Sequence, residues 1–360
     1  MALEFTVRDD QQYTDQARLD EIFANPGFGD HFTDHMAVAT WTKEKDWHDA
    51  GVVRYGSLAS DPASAVFHYA QEIFEGLKAY RRADGSVWLF RPEANGERLR
   101  NSAARLALPQ LPVEDFVAGV RALVEVDQRW VPGGAEQSLY LRPFTIANEN
   151  FLGVRAAHTA TFCVIASPVG AYFKGGVSAV DIWVSLDSSR AGAGGTGAAK
   201  CGGNYAASLQ ATNEAYAHGC SQVLFLDATD RSHIDELGGM NFFVITRDGQ
   251  LVTPELTGNI LPGITRDSIL TMAPDIGFTP VERRITLQEV LDGIADGSIV
   301  EAFACGTAAV VTPIASLTVR DQVHRLPEVA ESQSLDIRQR LVDIQYGRAE
   351  DPYGWTHKVC

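Results

Sequence analysis

A long loop of small residues, RAGAGGTGAAKCGG over residues 190–203, constrains this chain more than any other segment. The segment before it, DIWVSL (181–186), is rich in apolar and β-branched residues and is predicted to be a strand. A helix is predicted directly after it, over residues 204–218. The pattern therefore indicates a strand, a glycine-rich loop and a helix in succession.

The loop contains a single lysine, Lys200, between Ala199 and Cys201. A structural lysine usually lies on a solvated face among other charges, whereas Lys200 has only small neighbours. Such surroundings can desolvate an ammonium group and lower its pKa, which frees the amine to attack an aldehyde and form a Schiff base. An ordinary loop lysine is the commoner case, so other motifs must decide.

The same loop also matches the dinucleotide-binding pattern GxGxxG, in the stretch GAGGTG over 192–197. A dinucleotide fold would place these glycines in a tight turn that opens directly into a helix. Here a further GGN (202–204) intervenes, which argues against that fold. The phosphate-binding pattern ending in GK[ST] fails as well, because Ala199 precedes Lys200 and Cys201 follows it.

Mixed α and β patterns run through both halves of the chain, and 360 residues are too many for one ordinary domain. We predict a small N-terminal α/β domain over 1–170, an interdomain loop over 171–180 and a larger C-terminal domain over 181–360. Strands are predicted at 86–90, 138–146, 159–170, 181–186, 221–227 and 240–246, and helices at 113–131, 204–218, 265–273 and 286–297. A further apolar segment covers 300–314.

The chain is acidic, with 30 Lys+Arg against 46 Asp+Glu and a formal charge of -16. Such a field repels nucleic-acid backbones and anionic lipid surfaces. The first residues, MALEFTVRDD, have neither a basic nor an apolar signal region, and no stretch approaches the length that crosses a bilayer. We therefore predict a cytoplasmic protein with neither nucleic acid nor membrane as a partner.

The five cysteines are an odd number without a CxxC pair, which favours reduced thiols over a disulfide framework. Cys201 and Cys305 lie beside the motifs discussed here, and we predict that both are buried as small hydrophobic residues. The nine histidines show no HExxH or similar spacing, so no metal site is predicted.

Two turns could bind an anion, and one acid could need a cationic partner. LPGITRD (261–267) places a Pro-Gly pair before a helix whose first N–H groups, at Ile264 and Thr265, are donors for an anion. Thr307 lies in a second small-residue turn of the same kind. Glu236 is either a surface acid or a buried carboxylate that pairs with a cation such as a pyridinium nitrogen. Taken singly, each feature is more often an ordinary turn or surface acid.

Together, six segments resemble the branched-chain aminotransferases, in the order of that family and across nearly the whole chain. They are FEGLKAY (74–80), SLYLRPF (138–144), AAKCGGNY (198–205), DELGGMNFF (235–243), LPGITRD (261–267) and GTAAVVTP (306–313). The resemblance implies the mixed α/β fold type IV of pyridoxal-phosphate enzymes. In that fold a small α/β domain accompanies a larger domain with a pseudo-barrel, and the cofactor lies between domains of a homodimer.

The resemblance also implies roles for individual residues. Lys200 is similar to the Schiff-base lysine, Tyr205 to the partner of the cofactor's phenolic oxygen, and Glu236 to the acid that pairs with the pyridine nitrogen. The phosphate cradle and the ring contact correspond to Arg98, Leu261, Ile264, Thr265 and Thr307. The substrate pocket corresponds to Phe28, Tyr69, Phe74, Tyr140, Arg142 and Tyr172, with Thr307 and Ala308 at the α-carboxylate. Tyr69 is expected to reach across the dimer interface.

Two positions depart from the pattern of this family. Some members carry a redox CxxC after the GTA segment, whereas Ala309 and Thr312 stand there in this chain, so no thiol switch is predicted. Gly239 replaces a threonine that certain members use near the substrate carboxylate, which leaves that contact open.

The implied reaction is transamination between Leu, Ile or Val and 2-oxoglutarate, giving branched-chain 2-oxo acids and L-glutamate by a ping-pong mechanism. Alternatives within the same fold are a D-amino-acid aminotransferase and an aminodeoxychorismate lyase. From other classes, a nicotinamide-dependent oxidoreductase that uses the glycine loop, or a protein that only binds an anion, remains open from the residues alone.

Overall fold

The computed structural model describes residues 2–8, 13–170 and 177–360. Within them the chain forms two compact units, and each is built on its own nine-stranded sheet. The first unit comprises the described residues of 1–172 together with Ala199–Gly202 and Asp343–Cys360. The second comprises the described residues of 173–198 together with Gly203–Val342. The predicted mixed α/β fold class is confirmed.

Strands and helices alternate along the described chain. The strands are β1 (Thr6–Val7), β2 (His35–Thr42), β3 (Asp46–Arg54), β4 (Glu72–Phe74), β5 (Leu77–Arg81), β6 (Val87–Phe90), β7 (Ser138–Ala147), β8 (Thr159–Val169), β9 (Val180–Ser185), β10 (Gln222–Leu226), β11 (Ile234–Leu237), β12 (Asn241–Thr246), β13 (Gln250–Thr253), β14 (Thr279–Glu282), β15 (Ile299–Gly306), β16 (Val310–Val319), β17 (Gln322–Arg325) and β18 (Thr356–Lys358). The α-helices are α1 (Gln16–Ala24), α2 (Ala65–Tyr69), α3 (Pro92–Arg105), α4 (Val113–Val126), α5 (Gly202–Ala217), α6 (Ile264–Met272), α7 (Leu287–Asp296) and α8 (Gln333–Gln345), and short 3-10 helices cover Gln128–Trp130 and Ala273–Ile276.

The first unit has a sheet with the strand order β1-β3-β2-β8-β7-β5-β6-β18, and β4 pairs with β7. Alternate residues of β7 are buried, so one face of this strand packs into a core while the other is open for polar or functional side chains. Phe116, Val120 and Leu123 repeat at helical spacing on α4 and are fully buried in the same core as Phe162 of β8. The apolar face of α4 therefore packs onto this sheet.

The C-terminal segment completes the first sheet, because β18 pairs antiparallel with β6. The predicted domain of 181–360 thus differs from the second compact unit, which contains neither 343–360 nor 199–202. The pairing of β18 joins residues far apart in sequence, which no local pattern could indicate. The boundary loop itself, predicted at 171–180, stays a prediction, since residues 171–176 lie outside the described residues.

The second unit has the strand order β11-β10-β9-β16-β15-β12-β13-β14, and β17 pairs with β16. The pairs β9–β10, β9–β16 and β13–β14 are parallel, and the other pairs of this sheet are antiparallel. One apolar face of α7, which includes Val290 and Ile294, packs into the core of this sheet. The helix is capped at both ends, by the Thr286 side chain and by Gly297 in the left-handed conformation.

Most predicted elements agree with the structure to within a few residues, but one predicted helix is shorter, and the apolar segment, for which no element type was predicted, forms two strands. The helix predicted over 113–131 ends at Val126 and is followed by a 3-10 helix at Gln128–Trp130, while Asp127 between them accepts hydrogen bonds from the backbone N–H and the ring of His35. The apolar segment 300–314 is divided between the antiparallel strands β15 and β16. Among the described residues, no helix combines the length and the apolar composition needed to cross a bilayer.

Candidate active site

Lys200 lies in the first unit, where hydrogen bonds fix the backbone on both sides of it. Its N–H donates to Oγ of Ser102 on α3 at 3.0 Å. Its carbonyl oxygen accepts from the N–H of Phe74 on β4 at 2.9 Å. Two residues further on, the N–H of Gly202 donates to the carboxylate of Glu72, also on β4. The end of the small-residue loop is therefore held by α3 and β4.

The amine of Lys200 has an environment suited to a nucleophile. Burial, assisted by the nearby Arg98 guanidinium, lowers the pKa of Lys200 to about 8, while Glu75 opposes this effect. The Nζ atom lies 4.6 Å from the centre of the Phe74 ring. Part of the amine is thus neutral close to physiological pH, which is the form that attacks a carbonyl carbon.

Arg98 is buried in the first unit, so it is not the surface helix charge that its sequence context alone would suggest. Its Nε and Nη2 donate to the two carboxylate oxygens of Glu75 at 2.7 and 2.8 Å. Asn95, one turn earlier on α3, donates to the same carboxylate at 2.6 Å. Glu75 lies within the FEGLKAY segment, but no pattern in the sequence indicates a role for it.

Four residues predicted for the substrate pocket form one cluster in the first unit. The Phe28 and Tyr140 rings lie 5.2 Å apart between centroids. The guanidinium of Arg142 lies 4.8 Å from the centre of the Phe74 ring, and its Nη2 donates to the Tyr140 hydroxyl at 3.0 Å. With Lys200 also against Phe74, this cluster combines an apolar wall, a fixed cation and an amine.

Two other residues predicted for the pocket are placed differently. Tyr69 is 41% exposed, and its hydroxyl donates to the carbonyl oxygen of Leu152 at 2.5 Å. It therefore lies on the surface of the first unit. Tyr172 lies outside the described residues.

Glu236 is buried in the second unit and has a cationic partner that the sequence analysis missed. The Nη2 atom of Arg190 lies 2.6 Å from its Oε1, and both side chains are almost inaccessible. The backbone N–H of Leu261 donates to Oε1 at 2.8 Å, and Asn241 donates to Oε2 at 3.1 Å. The surface-acid interpretation of Glu236 is therefore wrong. Arg190 was visible in the sequence only as the charged residue that begins the small-residue loop.

The turn before α6 packs against Asn241, one of the residues that bind Glu236. Gly263 is the N-cap of α6 and provides no side chain to bond the N–H groups of the first turn, at Ile264 and Thr265. A Cβ atom on Gly263 would lie 1.9 Å from Oδ1 of Asn241, so a larger residue there would displace the amide that bonds Glu236. The donors of a helix N-terminus are thus built beside the residues that hold Glu236.

Two more turns of the second unit adjoin this group. A Cβ atom on Gly239 would lie 3.9 Å from Cε1 of Tyr205, which places the Tyr205 ring beside the DELGGM turn. A Cβ atom on Gly306 would lie 3.4 Å from Cγ of Met240 in that turn, and Thr307 and Ala308 directly follow Gly306. The second unit therefore gathers the predicted residues Tyr205, Glu236, Leu261, Ile264, Thr265, Thr307 and Ala308 around one group of turns.

Gly197 of the small-residue loop allows two backbones to pack closely. A Cβ atom on Gly197 would lie 2.2 Å from the carbonyl oxygen of Asn259, so the two backbones could not approach as they do. The following helix, α5, begins only at Gly202. The described loop therefore lacks the tight strand-to-helix turn of a dinucleotide-binding fold.

The thiols are buried as predicted for Cys201 and Cys305. All five cysteines are free, and burial raises the pKa of the Cys305 thiol. The described residues contain no group of three or more His, Cys, Asp and Glu side chains arranged to hold a metal ion.

Asp235 should make the stability of the protein depend on pH. Burial, assisted by Asp227 and Glu236, raises the pKa of Asp235 from 3.8 to about 7. The folded state therefore holds this proton more tightly than the unfolded state, and stability falls as pH rises through this interval. We expect Asp235→Asn to melt at a higher temperature than wild type at pH 8 and to lose this advantage at pH 4. Thermal melts of both proteins at the two pH values, at equal ionic strength, measure this. An equal difference in melting temperature between the two proteins at both pH values would contradict this expectation.

The family model for class IV amino-transferases matches residues 72–317. The branched-chain-amino-acid aminotransferase of Mycolicibacterium smegmatis is 50% identical, over 99% of this chain and 98% of its own. The probable branched-chain-amino-acid aminotransferase of Streptomyces coelicolor is 53% identical over 94% of each chain. The solved structure of the branched-chain amino acid aminotransferase from Thermoproteus uzoniensis with norvaline is 27% identical, with a TM-score of 0.72 over 90% of this chain and 100% of that one.

Proposed function

Because the chain belongs to the class IV aminotransferase family, we propose that it transfers amino groups between branched-chain L-amino acids and 2-oxoglutarate. The substrates are Leu, Ile and Val, and the products are the corresponding 2-oxo acids and L-glutamate. The observation that carries this proposal is Lys200, whose amine has a pKa lowered to about 8 and whose backbone is fixed on both sides. Relatives that are about half identical over nearly the whole chain carry the same activity in their names.

The cofactor is pyridoxal 5'-phosphate, and the charges of the described residues fit it. Its aldehyde requires a lysine with a lowered pKa, which is Lys200. Its pyridine nitrogen requires a buried carboxylate, which is Glu236. For its phosphate, which requires a cation and N–H donors, we propose Arg98 and the first turn of α6. The residues proposed to hold it are Arg98, Lys200, Tyr205, Glu236, Leu261, Ile264, Thr265 and Thr307.

When bound, pyridoxal phosphate supplies the electron sink that makes the α-proton of an amino acid removable. Lys200 then accepts and returns that proton, for which an amine with a pKa of about 8 is well matched. Glu236, fixed by Arg190 and Asn241, keeps a negative charge in a constant position throughout the reaction. We expect ping-pong kinetics, because the first oxo acid leaves before the second substrate binds.

The substrate pocket has to accept an aliphatic side chain in one half-reaction and a carboxylate in the other. Phe28, Phe74 and Tyr140 offer apolar surface for the first, and Arg142 offers a guanidinium for the second. Because the Tyr140 hydroxyl already accepts from Arg142, the cation is held in place before substrate binds. An apolar wall distinguishes side chains by about 1 to 3 kcal/mol per methylene, so Leu, Ile and Val should all react. The remaining proposed contacts are Tyr69, Tyr172, Thr307 and Ala308.

The functional unit is proposed to be a homodimer. The first unit exposes several large apolar side chains, among them Phe67, Tyr69, Phe151, Leu152 and Val154. Tyr69 is hydrogen-bonded to Leu152, so part of this group forms one surface. A cluster of this kind is typical of a protein–protein contact.

Val154→Asp tests the dimer. Val154 is 82% exposed, so a charge there costs the single chain little and disfavours an apolar interface. We expect the variant to have the mass of one chain in light scattering and to lose most of its transaminase activity, while wild type has the mass of two. Val323→Asp is the matched control, since Val323 is an exposed valine of the second unit that should leave the mass unchanged. A dimeric, active Val154→Asp variant would place the interface elsewhere.

We propose the cytoplasm as the location of this enzyme. The five free thiols support a reducing compartment, in which cysteines stay unpaired.

The test of the proposed function is the visible spectrum of the purified protein with pyridoxal phosphate, before and after borohydride, with peptide mapping of the product. A violet-region band that disappears on reduction and a label on Lys200 are expected. Transamination assays with Leu and 2-oxoglutarate then address the substrates. Absence of both the band and the label would refute the cofactor and the reaction together.

A further inference from the structure

Glu75 is a fully buried carboxylate at the end of β4, and no substrate or cofactor contact is assigned to it above. Four donors surround it. They are Arg98 Nε at 2.7 Å, Arg98 Nη2 at 2.8 Å, Asn95 Nδ2 at 2.6 Å and the Gly76 N–H at 3.2 Å. A buried carboxylate is costly unless it is paired and hydrogen-bonded, so this arrangement is specific to an acid at this position.

The partners of Glu75 share one face of α3 with the residue that holds Lys200. Asn95, Arg98 and Ser102 are three and four residues apart, which aligns them along the helix. The first two bind Glu75, and Ser102 accepts from the backbone N–H of Lys200. Glu75, Arg98 and Lys200 therefore belong to a single connected group.

We propose that Glu75 is a positioning residue for the transamination, which orients Arg98 toward the cofactor phosphate and balances its charge beside the Lys200 amine. This proposal rests on the function proposed above. It assigns two separate effects to one carboxylate, one geometric and one electrostatic.

The geometric effect follows from the shape of the guanidinium. Arg98 uses the edge that contains Nε and Nη2 to bind Glu75, which directs its Nη1 amino group to the opposite side. Two parallel bonds fix the plane of the group as well as its position. A cation held in this way can meet a phosphate without first losing side-chain freedom.

The electrostatic effect follows from the signs of the charges near Lys200. Arg98 lowers the pKa of Lys200, whereas Glu75 raises it. Removing the carboxylate would leave the guanidinium uncompensated in a buried place. The protonated form of the nitrogen at Lys200 would then be less stable.

The experiment compares wild type, Glu75→Gln and Glu75→Asp, with the cofactor removed for the binding measurements and restored for the spectra. The first measurement is the ratio of the dissociation constants for pyridoxal, which lacks the phosphate, and for pyridoxal phosphate. We expect Glu75→Gln to reduce this ratio by about tenfold, the effect of one charge-assisted hydrogen bond. The second is the pH titration of the visible band, whose midpoint should fall by about one pH unit.

Glu75→Asp keeps the charge but has a shorter side chain that cannot reach both donors equally. The midpoint of its pH titration should be close to that of wild type. Its ratio of dissociation constants for pyridoxal and pyridoxal phosphate should stay reduced, as in Glu75→Gln. Glu301→Gln is the matched control, because Glu301 is also a buried carboxylate that accepts several hydrogen bonds, around Ser332 and Ser334 of the second unit. Glu301→Gln should lower the thermal stability, but the ratio of dissociation constants and the titration midpoint should stay at their wild-type values.

The proposal is overturned if Glu75→Gln retains both the wild-type ratio of dissociation constants and the wild-type titration midpoint. It is also overturned if Glu301→Gln changes these two quantities as Glu75→Gln does. Should Glu75→Gln fail to fold, unchanged phosphate discrimination in Glu75→Asp would overturn it. Failure of the proposed function looks different, since wild type itself would then show no visible band with pyridoxal phosphate.

Discussion

Lys200→Ala is expected to abolish multiple turnover, lowering kcat by several orders of magnitude, because the residue that attaches the cofactor and moves the α-proton is lost. The fold should survive. The backbone bonds of Lys200 to Ser102 and Phe74 do not involve its side chain. The variant should still bind pyridoxal phosphate, more weakly, through the groups that hold the phosphate and the ring.

Steady-state assays with leucine and 2-oxoglutarate measure the loss of turnover, and the spectrum after borohydride reports the missing covalent link. Lys43→Ala serves as the control, because Lys43 is an exposed lysine of the same unit whose removal should change neither result. Turnover at the wild-type rate in Lys200→Ala would show that another residue carries the cofactor.

Glu236→Gln is expected to have the second largest effect. The amide keeps the size of the side chain but removes the charge that Arg190 and the cofactor ring nitrogen require. Removal of one preorganised electrostatic group typically costs about 100- to 1,000-fold in kcat, and we expect a loss in that range. The variant should also lose about 3 kcal/mol in its free energy of unfolding, since the Arg190 guanidinium, 5% exposed, is left without its carboxylate.

The measurements are kcat in saturating substrates and urea unfolding of the holoenzyme. Asp235→Asn is the matched control, since it changes the adjacent acid in the same strand, whose side chain points to the opposite face of β11. It should alter the pH dependence of stability and leave kcat close to wild type. A Glu236→Gln variant with near-normal kcat would remove Glu236 from the cofactor site.

The sequence was sufficient where a local pattern carried the information. Lys200 could be singled out because a lysine surrounded by small residues is unusual, and the turn before α6 could be identified because Pro-Gly followed by a helix has a physical consequence at its N–H groups. Glu75 and Arg190 could not be identified in this way. A glutamate in a strand-rich segment and an arginine before a glycine loop are ordinary on their own, and each acquires a role only through its partner.

The sequence alone determined the positions of the most strongly patterned strands and helices, the small-residue loop and the family resemblance, because periodicity and turn chemistry act over short stretches of chain. Tertiary structure decided which charges meet. Glu75 pairs with Arg98 across 23 residues, and Arg190 with Glu236 across a longer interval. It also decided that the last strand, β18, completes the first sheet. These pairings depend on the packing of distant segments and on the free-energy cost of burying a charge without a partner. No local sequence pattern indicates either of them.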